Sequence, residues 1–220
     1  MVIYMIKDEV LALCELSNDL LYHKIPEEKL LYYIREALRA GKEEAIPYRG
    51  TDIQKLCKDN RIEIEYIKES KKTYGVSFRA QTEMDKNHCK IWIFKGSIKE
   101  LSENSSYLGR RGISYEEALN IHLSHEFFHY LEFTKGEFVA DKLEPILRIN
   151  LPFLKKKAHL QRCSEIAAHS FAKELIGLNE LPNIYDYLYL INAGQMKETE
   201  FNNMINNHEI RLVQQRTIIT

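Results

Sequence analysis

Residues 125–129 have the sequence His-Glu-Phe-Phe-His and lie in a segment with the apolar periodicity of a helix. On a helix, His125 and His129 are about one turn apart, so both imidazoles leave one face and can bind the same metal ion. Glu126 lies between them, where a carboxylate can act as a general base beside the metal. The pattern is typical of zinc metallopeptidases, but it also occurs by chance, so its context matters.

The helix that carries this motif has well-marked ends. Ser114 and Glu117 form a capping box just before the apolar run, and Gly136 breaks the pattern after it. We therefore predict a helix from about Ser114 to Phe133, with the motif in its second half. In a purely structural helix Glu126 would be a charge among aromatic residues, which is costly to bury without a partner. A metal site supplies that partner, and the context therefore favours one.

The overall composition is that of an ordinary globular protein. The chain has 220 residues, of which 45% are hydrophobic, and a formal net charge of -1. It has no strong field to attract nucleic acid and no apolar run of the roughly 18 residues that a membrane helix needs. Its start lacks the features of a secretory signal, and its four cysteines form no C-x-x-C pair. We predict a cytoplasmic protein with free thiols and with neither a nucleic-acid nor a membrane partner.

The first part of the chain is predicted to be helical. Apolar spacing favours a helix over 8–22 and a second helix over 26–41, which begins with a proline and ends at Gly41. A third, short helix begins at Thr51 or Asp52.

A change of period from 3.6 to 2 marks a β region in the middle of the chain. Apolar and polar residues alternate over 62–66, 74–80 and 89–95, and residues 85–87 supply a turn between the last two segments. Three strands with short connections favour a small antiparallel sheet. The polar stretch 101–112 is predicted to be a loop.

Helices are predicted again after the motif. The first covers 137–149; the second covers 165–176, is capped by Ser164 and ends at Gly177. Pro182 begins a last helical region rich in tyrosine. Two further stretches are predicted to be solvated or loosely held, namely Lys155–Lys157 and 207–220.

Two histidines do not complete a catalytic zinc site, which takes three protein ligands and leaves one position open. Glu165 is the favoured third ligand, because it begins a helix whose face continues through Ala168 and Ala172, and small residues let a neighbouring helix approach. Glu137 is the alternative, although it follows the motif by only eight residues. Asp141 is a weaker candidate. These alternatives stay open at the level of residue pattern.

Two further histidines lie near the predicted ligands. His122 shares a face with His125 and His129, but three ligands on one straight helix would span about 10 Å, which is too long for one ion. We therefore predict His122 to be a neighbour of the site rather than a ligand. His169 lies one turn after Glu165, where it can hydrogen-bond a ligand, act as an electrophile or fill space.

The order of these elements resembles the ImmA/IrrE family of metallopeptidases. The resemblance runs from about Thr51 to Pro182 and depends on H-E-x-x-H and on a second motif, roughly E-x-E-A-N-x-F-A followed by two apolar residues. In this chain the second motif is Glu165-Ile166-Ala167-Ala168-His169-Ser170-Phe171-Ala172, with Leu175-Ile176 after it. The chain departs from the family in having Phe128 where glycine is usual, His169 where asparagine or aspartate is usual, and a long stretch over 134–163.

The resemblance implies a zinc site of His125, His129 and Glu165, with Glu126 as the base. It implies an α+β, zincin-like helical core with a small three-stranded antiparallel sheet over 51–182. Outside the resemblance, we predict a helical extension over 1–50 and a helical region and tail over 183–220. It also implies a cytoplasmic regulator that cleaves a protein substrate, such as a cognate helix-turn-helix repressor.

Two functions therefore follow as hypotheses. The first is zinc-dependent hydrolysis of peptide bonds in a protein or peptide substrate. The second, motivated by Phe128 and His169, is a zinc-stabilised regulatory or sensor module with little catalysis. Substitution of Glu126 separates the two hypotheses, because only the enzyme depends on that carboxylate for turnover.

Overall fold

The computed structural model of the chain describes residues 5–73, 76–86, 88–107, 109–151 and 153–218, which form a mixed α+β fold. The helices are α1 (Asp8–Leu16), α2 (Leu30–Ala45), α3 (Ile53–Asp59), α4 (Lys95–Glu103), α5 (Tyr115–Lys135), α6 (Val139–Lys142), α7 (Arg162–Ile176), α8 (Ile184–Asn192) and α9 (Glu198–Ile218). The strands are β1 (Glu63–Ile67), β2 (Lys71–Thr73), β3 (Val76–Phe78), β4 (Ala80–Met84), β5 (Cys89–Phe94), β6 (Ile146–Leu151) and β7 (Leu154–Ala158). Within the described ranges, no helix is both long and apolar enough to cross a membrane.

The main sheet has three strands in the order β1-β5-β4. Its central strand β5 runs antiparallel to β4 but parallel to β1, so the prediction of an antiparallel sheet is wrong for one of its two pairings. The reason is the connection between β1 and β5, which is long enough to contain the β2–β3 hairpin and β4 and to return the chain in the original direction. Strand β4 is left at an edge of the sheet.

The predicted strands match the observed ones unevenly. The segments 62–66 and 89–95 correspond to β1 and β5. The predicted strand 74–80 divides between β3, which belongs to the separate hairpin, and the first residue of β4, while Tyr74 and Gly75 lie outside the described residues. Of the predicted turn at 85–87, Asn87 also lies outside them.

The predicted helix over 8–22 is shorter in the structure, because α1 ends at Leu16. Helix α2 is preceded by a short 3-10 turn at Glu27–Lys29 and continues to Ala45, so the prediction that Gly41 ends it is wrong. Gly41 serves packing instead, since a Cβ atom there would lie 2.0 Å from the backbone oxygen of Ala167 in α7.

Two further predictions concern the start of a helix and a loop. Helix α3 begins as expected, with the Asp52 side chain accepting a hydrogen bond from the Lys55 amide at 2.8 Å. The predicted loop over 101–112 is wrong for its first three residues, which are the last residues of α4.

Helix α5 confirms the capping prediction. The Ser114 hydroxyl accepts from the Glu117 amide at 3.1 Å, and the Glu117 carboxylate accepts from the Ser114 amide at 2.7 Å. Gly136 follows the helix with a positive φ of 65°, a conformation that glycine adopts without strain. The motif therefore lies in the second half of a 21-residue helix.

The predicted helix over 137–149 is wrong. Only Val139–Lys142 is helical, and the chain then forms the β6–β7 hairpin. Pro145 explains the early end, because a proline disfavours helical backbone in the residue before it and has no amide to continue the helix. Within this hairpin, Lys155–Lys157 are exposed as predicted, while Pro152 lies outside the described residues.

Helix α7 begins at Arg162, earlier than predicted, and Ser164 is not its cap. The residue before the helix, Gln161, makes no side-chain capping bond; the Arg162 amide instead donates to the Asp19 carboxylate at 3.1 Å. Gly177 ends the helix with a φ of 73°, as predicted.

The end of the chain is ordered as helix α9, so the prediction that 207–220 is loosely held is wrong through Ile218. Leu212 and Gln215 are buried, at 3% and 2% exposure, and the Gln215 side chain donates to the backbone oxygen of Glu27. Ile219 and Thr220 lie outside the described residues.

One buried apolar core joins the helices and the sheet. Leu13, Ile34, Ile91, Phe127 and Phe171 are all 0% exposed and belong to it. Its members come from all three of the predicted segments 1–50, 51–182 and 183–220, a division that stays a prediction. Helix α7 lies between α2 and α5 in this core, so it connects the motif-bearing helix to the amino-terminal helices.

Candidate metal centre

The two histidines of the motif and Glu165 lie together between α5 and α7. The Nε2 atom of His125 is 3.2 Å from the Nε2 atom of His129 and 3.2 Å from Oε2 of Glu165. The three ligand atoms all lie within 4.8 Å of one another, so the group can hold a metal ion. The structure therefore brings together the three residues that the sequence pattern favoured.

The donor set fits a divalent transition metal. Two imidazole nitrogens and one carboxylate oxygen are ligands that such ions accept. The side chains of His125, His129 and Glu165 are 16%, 20% and 36% exposed, so the group is partly buried but still reachable from a cleft. When both imidazoles are neutral, two nitrogen lone pairs and a carboxylate converge at this partly buried point, an arrangement that a bound cation stabilises.

Electrostatics within the group favour a protonated His129 beside an ionised Glu165. Burial lowers the pKa of His129, but its bonds to Glu132 and Glu165 outweigh burial and raise that pKa to about 10. Burial raises the pKa of Glu165, but the neighbouring His125 and His129 hold the pKa well below its usual range. Glu165 is therefore a carboxylate at neutral pH, which is the form that binds a metal.

Glu132 contacts the side of the His129 ring that faces away from the other ligands. The His129 Nδ1–H donates to Oε2 of Glu132 at 3.0 Å, which leaves Nε2 as the nitrogen that faces the group. Glu132 is 4% exposed. It lies three residues after His129 on α5 and was not among the predicted site residues.

Glu126 extends from the same face of α5 into a cleft beside the group. Its Oε2 atom accepts a hydrogen bond from the Thr82 hydroxyl of β4 at 2.5 Å. The cleft has a volume of about 270 Å³ and is also lined by His125, Glu165 and His169. A carboxylate held beside three ligand atoms and open to a cleft is placed for proton transfer.

His169 packs against a ligand instead of joining the group. Its ring centroid lies 4.8 Å from that of His125, and its Nε2 atom is 4.0 Å from the Glu15 carboxylate. Its Nδ1 atom is buried and has no hydrogen-bond partner among the described residues. Burial and the nearby His125 lower the pKa of His169 well below its usual value, so the ring is neutral.

His122 lines the cleft one turn before His125, in agreement with its predicted place beside the ligands. Its Nδ1–H donates to the backbone oxygen of Ala118 at 2.8 Å. Burial and the Arg79 charge lower the pKa of His122 to about 4, so this ring is also neutral at pH 7. A neutral ring with Nδ1 already engaged has Nε2 left as an acceptor.

The alternative ligands lie elsewhere. Glu137 is exposed and forms an ion pair with Lys142 at 2.6 Å, and it lines a different surface pocket. Asp141 is exposed. Cys163 is a buried free thiol whose pKa burial raises to about 12, in keeping with a structural role. The other three cysteines are also buried and free, as predicted.

The cleft is also lined by charge pairs that the sequence pattern did not reveal. Arg162 pairs with Glu15 of α1 at 2.8 Å, and Arg79 pairs with Asp186 of α8. The two residues of each pair are far apart in sequence, so no local spacing predicts the pairing. Glu132 is different, because a carboxylate three residues after His129 lies on the same helix face and could have been recognised.

Comparison of the chain with protein-family models, with curated proteins and with solved structures gives no match in any of the three. The resemblance to the ImmA/IrrE family therefore depends on the motifs of the sequence alone and stays a prediction.

Proposed function

We propose that the chain is a zinc-dependent metallopeptidase, with a zincin-like core, that hydrolyses peptide bonds in a protein substrate. The observation that carries the proposal is the combination of His125, His129 and Glu165 within 4.8 Å with Glu126 beside them in a cleft. Two histidines, one carboxylate and an open side are the ligand pattern of a catalytic zinc, which takes three protein ligands.

Zinc bound there would lower the pKa of a water molecule and polarise the carbonyl of the scissile bond. Glu126 would accept the proton from that water and deliver it to the leaving amine. The Thr82 hydroxyl, which donates to Glu126 Oε2, leaves the other carboxylate oxygen for this transfer and restricts its rotation. His122 and His169 are both neutral and stand at the cleft wall, so they add no cation that would compete with the metal.

Strand β4 supplies a place for the substrate backbone. It is an edge of the three-stranded sheet, and Ala80, its first residue, lines the cleft together with Arg79. An extended segment that pairs with such an edge gains backbone hydrogen bonds without requiring a particular side chain. This favours a substrate that is bound in an extended or locally unfolded form.

The resemblance to ImmA/IrrE proteins adds a substrate class to the proposal. It favours a cytoplasmic regulatory peptidase whose substrate is a cognate helix-turn-helix repressor. This extension depends on the two motifs, one of which carries Phe128 and the other His169 in place of the usual residues.

The experiment combines metal analysis with a cleavage assay. Purified protein is expected to contain one zinc per chain by elemental mass spectrometry and to cut a complex peptide mixture, with the products identified by mass spectrometry. Glu126→Gln is expected to keep the zinc and to lower the cleavage rate by roughly 10²–10⁴-fold, which is the usual contribution of a general base.

Glu116→Gln is the matched control, since Glu116 is an exposed residue of the first turn of the same helix. It is expected to leave both zinc content and cleavage unchanged. Absence of stoichiometric zinc in the wild-type protein, or full cleavage by Glu126→Gln, would overturn the proposal.

A further inference from the structure

We propose that Glu132 is a positioning residue that holds His129 and the start of α7 in register, so that His129 and Glu165 meet the same metal ion. The inference rests on the proposed zinc site. It assigns a role to a buried carboxylate that contacts a member of the metal-binding group but is not itself one of the three proposed ligands.

The first contact of Glu132 orients a ligand. Its Oε2 atom accepts from His129 Nδ1–H at 3.0 Å, so the ring is fixed with Nε2 toward His125 and Glu165. A carboxylate that accepts from the far nitrogen of a ligating imidazole fixes its tautomer and makes the metal-facing nitrogen a stronger donor.

The second set of contacts connects two other helices. The Oε1 atom of Glu132 accepts from the Ser164 hydroxyl of α7 at 2.8 Å and from the Val139 amide at the start of α6 at 2.7 Å. The Ser164 hydroxyl in turn accepts from the Ala140 amide at 3.2 Å. Ser164 directly precedes Glu165, so one carboxylate contacts a metal-binding histidine and the neighbour of the metal-binding glutamate.

The donors around Glu132 explain why this buried position suits a carboxylate. Glu132 is 4% exposed, and a charge at that depth is costly unless it is fully hydrogen-bonded. Its three partners are all donors, so they match an acceptor-only side chain. A glutamine there would direct its amide N–H₂ at one of these donors, because only one of its two terminal atoms can accept.

The test is the zinc affinity of Glu132→Gln, measured by competition with a chromophoric chelator at pH 7. We expect the affinity to fall by roughly 10–100-fold, as is usual when the partner of a ligating histidine is changed. Glu137→Gln is the matched control, because Glu137 is an exposed glutamate paired with Lys142 outside the group, and it is expected to bind zinc as the wild type does.

A spectroscopic readout separates positioning from general destabilisation. In the zinc-loaded wild type, proton NMR is expected to give a strongly downfield resonance from His129 Nδ1–H, because this proton is hydrogen-bonded to a buried carboxylate. That resonance is expected to move upfield or vanish in Glu132→Gln and to persist in Ser164→Ala. The second variant keeps the Glu132–His129 bond but removes the hydroxyl that joins Glu132 to α7 and that accepts from the Ala140 amide, and we expect it to weaken zinc binding by a few fold.

The outcomes are distinct for the two proposals. A wild-type protein that binds no zinc overturns the proposed function. A wild type that binds zinc, with Glu132→Gln binding it equally well, overturns the positioning role and leaves the peptidase proposal intact. If Glu132→Gln does not fold, two other measurements test the positioning role. A wild type without the downfield His129 Nδ1–H resonance, together with a Ser164→Ala variant that binds zinc as tightly as the wild type, contradicts the role.

Discussion

The two faces of helix α7 differ in how closely they are packed. On the face toward α2, backbone meets backbone: the Cα of Gly41 approaches the Ala167 carbonyl so closely that no side-chain carbon fits between them. On the face toward α5, Glu165 and His169 border a cleft of about 270 Å³ with charged walls. Over residues 165–170 the helix therefore has a close-packed side toward α2 and an open side at the cleft.

The two faces of α7 therefore contribute differently to the structure: one borders the cleft, and the other packs against α2. On the open face, the buried Nδ1 of His169 has no hydrogen-bond partner within the part of the chain that the structure describes. The opposite face is close-packed, because small residues there let α2 and α7 share a long, close contact. The middle of α7, at Ala167 and Ser170, is thus held by α2, where there is no room for the helix to shift.

The largest effect is expected from adding a side chain at Gly41, where α2 packs against α7. In Gly41→Val, the new Cβ would meet the Ala167 backbone oxygen at 2.0 Å and the Ser170 Cβ at 2.9 Å, so the helices must separate. We expect a loss of about 3 kcal/mol or more in the free energy of unfolding, measured by urea denaturation. Lys42→Val, at the next and exposed position of α2, is the control and is expected to cost less than about 0.7 kcal/mol. Equal losses in the two variants would show that the close approach is unimportant.

An intermediate effect is expected on the open face. Glu165→Gln removes the charge of the proposed third ligand, whose side chain is 36% exposed. The fold is therefore expected to persist while zinc affinity falls by more than about 100-fold, or about 2.7 kcal/mol. Competition with a chelator measures the affinity. Glu174→Gln alters the other end of the same helix, where the carboxylate pairs with Arg49, and it is expected to leave zinc binding unchanged. Retention of tight binding by Glu165→Gln would assign the third ligand elsewhere.

The smallest effect is expected at Ser170, and it tests whether two neighbouring residues on different faces of α7 act independently. Ser170 follows His169 but lies on the packed face, where its hydroxyl donates to the Leu38 backbone oxygen of α2 at 2.7 Å. Ser170→Ala is expected to lower the free energy of unfolding by about 1 kcal/mol and to leave zinc affinity at the wild-type value. Urea denaturation and chelator competition measure the two quantities. A change in zinc affinity would mean that the two faces of α7 are coupled.

Local chemistry accounts for what could be predicted from the sequence. The ends of α5 follow from Ser114, Glu117 and Gly136, each of which acts on atoms within a few residues, and the spacing of His125 and His129 follows from helix geometry. Glu165 was preferred over Glu137 because a ligand needs a second element that folds back, and a separation of 36 residues leaves room for one.

Tertiary structure accounts for what could not be predicted. Gly41 has the local signal of a helix end, and only the approach of α7 explains why a glycine lies within α2. The parallel pairing of β1 with β5 depends on how a long connection folds, which strand periodicity does not encode. The predicted cap Ser164 donates instead to Glu132, which is 32 residues away in sequence. The Arg79–Asp186 pair is likewise formed only in the folded chain.

The start of α7 has a consequence for local fluctuations. Gln161 provides no side-chain cap, and Glu165 lies within the first turn, so fraying of that turn and withdrawal of the carboxylate from the two histidines are a single event. Zinc bound by Glu165 would act against that fraying, since an ion that binds only the ordered helix end stabilises it by mass action. Local order in one helical turn and occupancy of the site would then rise and fall together.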